Sequence, residues 1–268
     1  MTNDEIYRIA MEQSAVDLNC HPGDFLKNEH VVVISEKHPE ARKYLTLPFE
    51  CQLVSYGNNI VASVDERMVS SVDAYIHRYS MEHCLSTPNL YMLNEALGKV
   101  KEFEEKEVRA CFMAEYFLPD MRVFQAKHCG YETRVLTGGD FSDLYVPEWS
   151  NALCEMRKEL DVLGIGAYDG GKLIGLAGCS ADCDTMWQVG IDVLPAYRKK
   201  GVAAALTTRL AMEIMERGKV PFYCAAWSNI RSVRNAISCG FRPAWVELTA
   251  RRGEIIRMIT GDDRREME

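Results

Sequence analysis

Residues 192–206 read DVLPAYRKKGVAAAL. A β-branched run ends here at a Pro-marked turn, Arg198, Lys199 and Lys200 arrive together, and Gly201 opens an Ala-rich stretch. Two readings fit the segment by itself. It is either a solvated or nucleic-acid-facing basic run, or a strand–turn–helix junction that wraps an anion. In the second case the first N–H groups of the helix have no intrahelical partner and its dipole favours negative charge, so a phosphate at Gly201–Ala203 meets several donors at once. Gly201 lets the backbone approach the ligand, and Ala203 keeps the next turn small.

The neighbouring sequence favours the junction. After Gly201, Val202, Leu206, Leu210 and Ile214 recur every four residues, an amphipathic helix that ends near Gly218. Upstream, 132–137 reads as a strand leading through Gly138-Gly139 to a capped helix from Asp140 to about 156. Runs at 161–168, 172–181 and 186–193 follow as an antiparallel meander, the first two joined by the hairpin turn Asp169-Gly170-Gly171. Downstream lie a buried-looking strand at 220–226, a helix from Asn229 to Cys239 and a Gly240 stop. Two closing strands, 243–250 and 253–260, turn about Arg252-Gly253.

The first half carries no such motif. A helix over 4–18, strands at 30–34, 51–55 and 59–63, a helix over 88–105 and a strand over 108–117 are expected, the second and third strands joined at Gly57-Asn58-Asn59. The composition shift around 120–135 divides the chain into 1–130 and 131–268.

Charge and composition exclude several classes. The formal net charge is −8; residues 1–135 hold 21 acids and 14 bases, residues 136–268 hold 18 and 17. Phosphate contacts dominate nucleic-acid affinity and need a basic face, so this balance predicts no nucleic-acid partner. Apolar runs such as VVVI at 31–34 are far below the ~20 residues of a membrane-spanning helix, so no membrane partner is expected. Ten scattered cysteines without a framework point to a reducing, cytoplasmic setting, and Cys179 and Cys183 lack a second ligand pair, so no metal is expected. Gly164, Gly166 and Gly170 miss the dinucleotide fingerprint by one place, and neither a GxxxxGK[ST] loop nor a G-x-S-x-G elbow is present.

Arg198-Lys199-Lys200-Gly201-Val202-Ala203 resembles the [QR]-x-x-G-x-[GA] signature of the GNAT (GCN5-related N-acetyltransferase) superfamily. The order of the surrounding elements resembles it too, including VPFYCAAWSNIRSVRNAISCGF at 220–241. The likeness covers about 132–260. It implies an α/β fold with a mixed sheet, a GNAT-like acyl-CoA domain preceded by a smaller α/β domain that covers or completes the acceptor pocket. Such added halves are in some enzymes degenerate copies of the same fold, which the sequence leaves open here. The resemblance implies acetyl-CoA as co-substrate. The backbone at Ile191 and Val193 would hold the pantetheine arm, residues 198–203 the pyrophosphate, and Asn229 and Ser232 the thiol side.

The family's frequent base positions fall on Trp187 and Val189, and its frequent general acid falls on Ala236; none of the three can transfer a proton. Asp192 and Tyr223 are the nearest catalytic candidates on the two strands, and His21 or Asp24 could reach in from the first half. Trp187 is either core packing or an aromatic wall for the acceptor. The expected reaction is acyl transfer to a primary amine of a small molecule. The rival class is a non-catalytic acyl-CoA sensor, which would keep 193–203 and lose the base and acid. Neither the acceptor nor the oligomeric state follows from the sequence.

Overall fold

The computed structural model describes residues 1–261, which cluster into two compact units. The second unit comprises Ser14–Ala41, Leu45–Ala114 and, among the described residues, 245–261. Along the chain, α1 (Asn3–Leu18) precedes β1 (Val31–Ile34), β2 (Cys51–Ser55) and β3 (Val61–Val64). Then come α2 (Val69–Arg78), α3 (Met81–Cys84), α4 (Thr87–Leu97) and α5 (Lys101–Glu105). β2 and β3 form the expected hairpin, Leu53 opposite Ala62, and β1 pairs parallel to β3. The expected single helix over 88–105 is two helices, α4 and α5, parted at Gly98–Val100; α2 and α3 had no counterpart in the sequence reading.

The first unit, Met1–Gln13, Arg42–Tyr44 and Glu115–Ala244, carries the more legible half. It is built on β4 (Arg109–Pro119, from Glu115), β5 (Glu132–Thr137), β6 (Asp161–Asp169), β7 (Lys172–Ser180) and β8 (Met186–Val193). α6 (Val202–Glu216), β9 (Val220–Ala225), α7 (Ile230–Ser238) and the start of β10 (Phe241–Arg251) complete it. Strand order is β4-β9-β8-β7-β6-β5, antiparallel except for the parallel pair β8–β9. The mixed α/β architecture is therefore as the motif order implies. A single cut at 130/131 does not describe it, because residues 1–13 and 42–44 belong to this unit and the chain leaves it at Ala244.

α6 buries its four-residue stripe, Val202, Leu206, Leu210 and Ile214, against Ile165, Ala177, Val189 and Tyr223 of the sheet. Each wholly buried leucine of that stripe contributes about 1.5–3 kcal/mol. On the other side Phe141, Trp149, Ala152 and Leu153 pack on Leu136 and Leu176. These residues lie in 140–156, where one helix was expected. Only short 3-10 turns form there (Gly138–Asp140, Pro147–Trp149, Glu155–Leu160). Pro147 interrupts the hydrogen-bond ladder, and the backbone at 151–152 lies flush on the sheet. A Cβ on Gly190 would stand 1.9 Å from the Asn151 carbonyl oxygen, and one on Gly178 would stand 2.1 Å from that of Ala152.

The second correction is at 253–260, expected as a strand and found as α8 (Gly253–Thr260). Ile255, Ile256 and Ile259 share a helical face as readily as a short apolar strand, and periodicity does not separate the two over eight residues. Among the described residues no helix is long and apolar enough to cross a membrane, and all ten cysteines are free thiols.

Candidate functional site

A groove of about 1010 Å³ opens where β8 meets the N-terminal ends of α6 and α7. β8 and β9 run side by side in register from Met186–Val220 to Val189–Tyr223. Beyond that point β8 continues to Val193 while its pairing with β7 persists through Val193–Gly175, which leaves the β9-facing edge of its last residues without a registered strand partner. Ile191 and Val193 line the groove there.

The floor at the helix end is backbone. Lys199 and Gly201 both adopt left-handed conformations, φ 61° and 78°. Outside glycine that region costs roughly 1–2 kcal/mol, so Lys199 stores strain at a site where an anion has been predicted. Gly201 is the N-cap of α6 and has no side chain to close it; the first intrahelical bond is Ala205 N–H to the Gly201 carbonyl, 3.0 Å. The N–H groups of Val202, Ala203 and Ala204 therefore point out of the helix end, and all three residues line the groove. α6 can sit this close because Gly175 faces it: a Cβ there would lie 2.9 Å from Val202 Cγ1.

The three cations separate. Arg198 donates from Nε to the Val193 carbonyl at 3.0 Å, which folds its guanidinium over the turn and beside the groove; Lys199 also lines the groove. Lys200, predicted as a third ligand, is not among the lining residues: its Nζ lies 5.0 Å over the Tyr197 ring and 3.5 Å from the Tyr131 hydroxyl. Asn229 and Ser232 both line the groove. Asn229 also caps α7, accepting the Ser232 N–H at 3.2 Å, so its capping and groove-facing roles coincide.

Asp192 has a different occupation from the catalytic one expected. Its carboxylate accepts from Asn151 N–H (2.8 Å), Asn151 Nδ2 (2.7 Å) and Ala152 N–H (3.0 Å), clamping 151–152 onto the sheet. Tyr223 lies on the groove wall with 3% of its surface exposed; burial pushes its pKa up, and the Ser232 and Asn235 side chains oppose that shift. Trp187 is not brought to the groove; it packs against the α6 core. Ala236, the blank acid position, is wholly buried in that core.

Residues missed from sequence are Asn151, Arg231, Arg234 and Asn235, all lining the groove. The signal was present in NIRSVRN, where Asn229, Ser232 and Asn235 recur every three residues and Arg231 and Arg234 keep the same spacing. Among the buried carboxylates outside the groove, two have raised pKa values. Asp182, fully buried, accepts from Ser180 Oγ (2.8 Å) and pairs with Arg157 (3.1 Å), and desolvation raises its pKa. Asp161 is pushed up to about 6 by burial. No cluster of three or more His, Cys, Asp or Glu able to hold a metal occurs among the described residues.

A family model described as GNAT acetyltransferase matches residues 92–244, more than half of the 268. Comparison with curated proteins gives no match. Among solved structures, a protein assigned to the GNAT family from Novosphingobium aromaticivorans is 21% identical, with a TM-score of 0.41 over 55% of this chain and 68% of its own. An acetyltransferase of the GNAT family from Colwellia psychrerythraea is 10% identical, with a TM-score of 0.47 over 94% of this chain and 98% of its own. A protein from Salmonella typhimurium, solved with its cofactor acetyl-CoA, is 17% identical, with a TM-score of 0.36 over 46% of this chain and 94% of its own.

Proposed function

The chain belongs to the GNAT acetyltransferase family, and from that premise we propose that it transfers the acetyl group of acetyl-CoA to a primary amine of a small molecule. The observation that carries the reading is the uncapped N-terminus of α6, entered through left-handed Lys199 and Gly201 at the end of a groove flanked by Arg198. Its donors suit a pyrophosphate: three outward N–H groups, a guanidinium and an ammonium, and among the described residues neither Arg198 nor Lys199 forms an ion pair with a carboxylate. Ile191 and Val193 would hold the pantetheine arm along the free edge of β8, and Asn229 and Ser232 its thiol end.

When bound, acetyl-CoA supplies the activated acetyl thioester. The chain supplies position and protons. The Tyr223 hydroxyl, like any tyrosine, is protonated at neutral pH, and burial only raises its pKa further; it is the groove's candidate proton donor. Asp192 acts as a positioning residue, because its oxygens are engaged with the 151–152 backbone. With no dedicated base in the groove among the described residues, amine basicity decides the substrate. Neutralising a lysine-like amine of pKa ~10.4 at pH 7 costs about 4–5 kcal/mol, whereas an α-amine near ~7.8 costs about 1. The acceptor class is thus a small amine of low pKa.

The same lack of a base favours the sensor reading, in which acetyl-CoA binds without turnover. Acetyl-CoA consumption across amino acids, polyamines, amino sugars and short peptides, with pH–rate profiles for each substrate found, separates the two. Turnover that rises as acceptor pKa falls supports the transferase. Tight binding with no turnover across the panel supports the sensor.

A further inference from the structure

Three asparagines line the groove, and two of them have their side-chain oxygens engaged. Asn229 Oδ1 accepts the Ser232 N–H at 3.2 Å, and Asn235 Oδ1 accepts from the Cys239 thiol at 3.9 Å. Asn151 differs. Its Nδ2 donates to Asp192 at 2.7 Å and its own N–H to the same carboxylate at 2.8 Å, while no donor among the described residues meets Oδ1. Chemistry sets the orientation of this amide, because a carboxylate can only accept and therefore takes the nitrogen end. Asn151 is exposed, so Oδ1 is a fixed, neutral acceptor open to a ligand.

Its place is the acyl end of the groove. On the acetyl-CoA reading the pyrophosphate sits at the α6 end and the pantetheine arm runs back along Val193 and Ile191. That brings the thioester towards Gly190, just past the last paired residues of the two strands, Val189 and Tyr223. Asn151 lies on Gly190, where a Cβ would stand 1.9 Å from its carbonyl oxygen, and its segment packs on the side of the sheet away from α6. The cofactor takes the α6 side, which leaves the amine to enter past Asn151.

We propose that Asn151 Oδ1 accepts an N–H of the incoming amine and holds it in its neutral form, lone pair turned to the thioester carbonyl. This rests on the acetyl-transfer reading above. A free carboxylate at this point would favour the ammonium, which has no lone pair; a carboxamide accepts the same N–H without that bias. Asp192, the one carboxylate among the lining residues, is kept from that role by its three N–H donors. In the reaction the N–C bond forms and the C–S bond breaks. One proton leaves the amine for water, and the thiolate takes one from the candidate donor Tyr223, which water restores. Asn151 exchanges no proton. The site thus selects amines that are neutral near pH 7 by how it binds them as well as by the absence of a base.

The test uses the full chain and the fastest substrate among the amino acids, polyamines, amino sugars and short peptides, with glycinamide added as a small α-amine. Asn151→Ala lowers kcat/KM for the amine by about tenfold, while calorimetry gives an acetyl-CoA affinity within about twofold of wild type. Asn151→Asp supplies the carboxylate that the wild type withholds. It favours the bound ammonium, so the rise of kcat with pH moves up by about one pH unit or more. Circular dichroism checks the fold, and Asn151→Ala alone decides if two adjacent carboxylates keep the other variant from folding. Unchanged kcat/KM in Asn151→Ala overturns the assignment. A loss matched by an equal loss of acetyl-CoA affinity overturns it too, because the residue would then only shape the groove. So does a kcat profile that stays in place in a folded Asn151→Asp protein. Each of these leaves the acetyl-transfer reading standing, whereas a wild type that acetylates no amine of the panel defeats that reading itself.

Discussion

Replacing Asp192 with alanine separates a clamp from a catalyst. The carboxylate accepts three N–H groups, at 2.8, 2.7 and 3.0 Å. Two belong to exposed Asn151 and are re-solvated when the acceptor goes; the third belongs to Ala152, 5% exposed, whose N–H is left without a partner. Hydrogen bonds to a charged acceptor contribute about 1.5–3 kcal/mol, and only the buried one is fully lost, so Asp192→Ala costs about 2–3 kcal/mol of stability. Urea unfolding reads this as a fall in midpoint at constant slope. Asp192→Asn keeps one accepting oxygen and turns an amide N–H towards the donors, so it falls between the two. In both variants the pH dependence of kcat/KM keeps its shape. A stability change below about 0.5 kcal/mol, together with loss of a limb of the pH–rate profile, would show that Asp192 is the proton acceptor and refute the clamp.

Two further outcomes follow from the site and from the buried acids. Lys200→Ala weakens acetyl-CoA binding by less than about threefold because its ammonium sits on Tyr197, whereas Lys199→Ala weakens it by about tenfold; calorimetry that reverses this order contradicts the assignment of the three cations. Asp161, 4% exposed and raised to about 6, binds more protons in the folded than in the unfolded chain between pH ~4 and ~6, so its contribution to stability is lost as pH rises through that window. Asp161→Asn, which keeps an oxygen for the Cys154 N–H, therefore gains about 1–2 kcal/mol on the wild type between pH 4 and pH 7. A difference in Tm that stays constant with pH would contradict it.

The sequence made the parts of the fold with local causes legible. The Gly170-Gly171 turn, the strand runs around it and the four-residue stripe of α6 each follow from neighbours in the chain. Segment 140–156 was not legible, since what flattens it is remote: two glycines on other strands and the Asp192 carboxylate. The assembly of the first unit from 1–13, 42–44 and 115–244 likewise has no local signal. In the site, the sequence singled out Ile191, Val193, Arg198, Gly201, Ala203, Asn229 and Ser232, and all of these line the groove, because a strand-to-helix junction dictates residue type locally. Three adjacent cations are alike in sequence, so which of them faces the groove was not legible; the backbone, left-handed at Lys199 and Gly201, places Lys200 on Tyr197. Arg231 and Arg234 carry no local signal of a site in sequence, and only the position of α7 beside the groove brings them to it.

The central claim is that the amides at Gly201–Ala204 seat the pyrophosphate of acetyl-CoA, and one substitution tests it most directly. A side chain at Gly201 meets only the His128 carbonyl oxygen, at 3.7 Å, so space is available and the penalty is the left-handed backbone, about 1–2 kcal/mol. Gly201→Asn bears nearly the same backbone penalty without a charge and serves as the control. Calorimetric titration with acetyl-CoA should show Gly201→Glu folded but with affinity reduced at least about a hundredfold, and Gly201→Asn within about tenfold of wild type. Unchanged affinity in a folded Gly201→Glu protein would contradict the account.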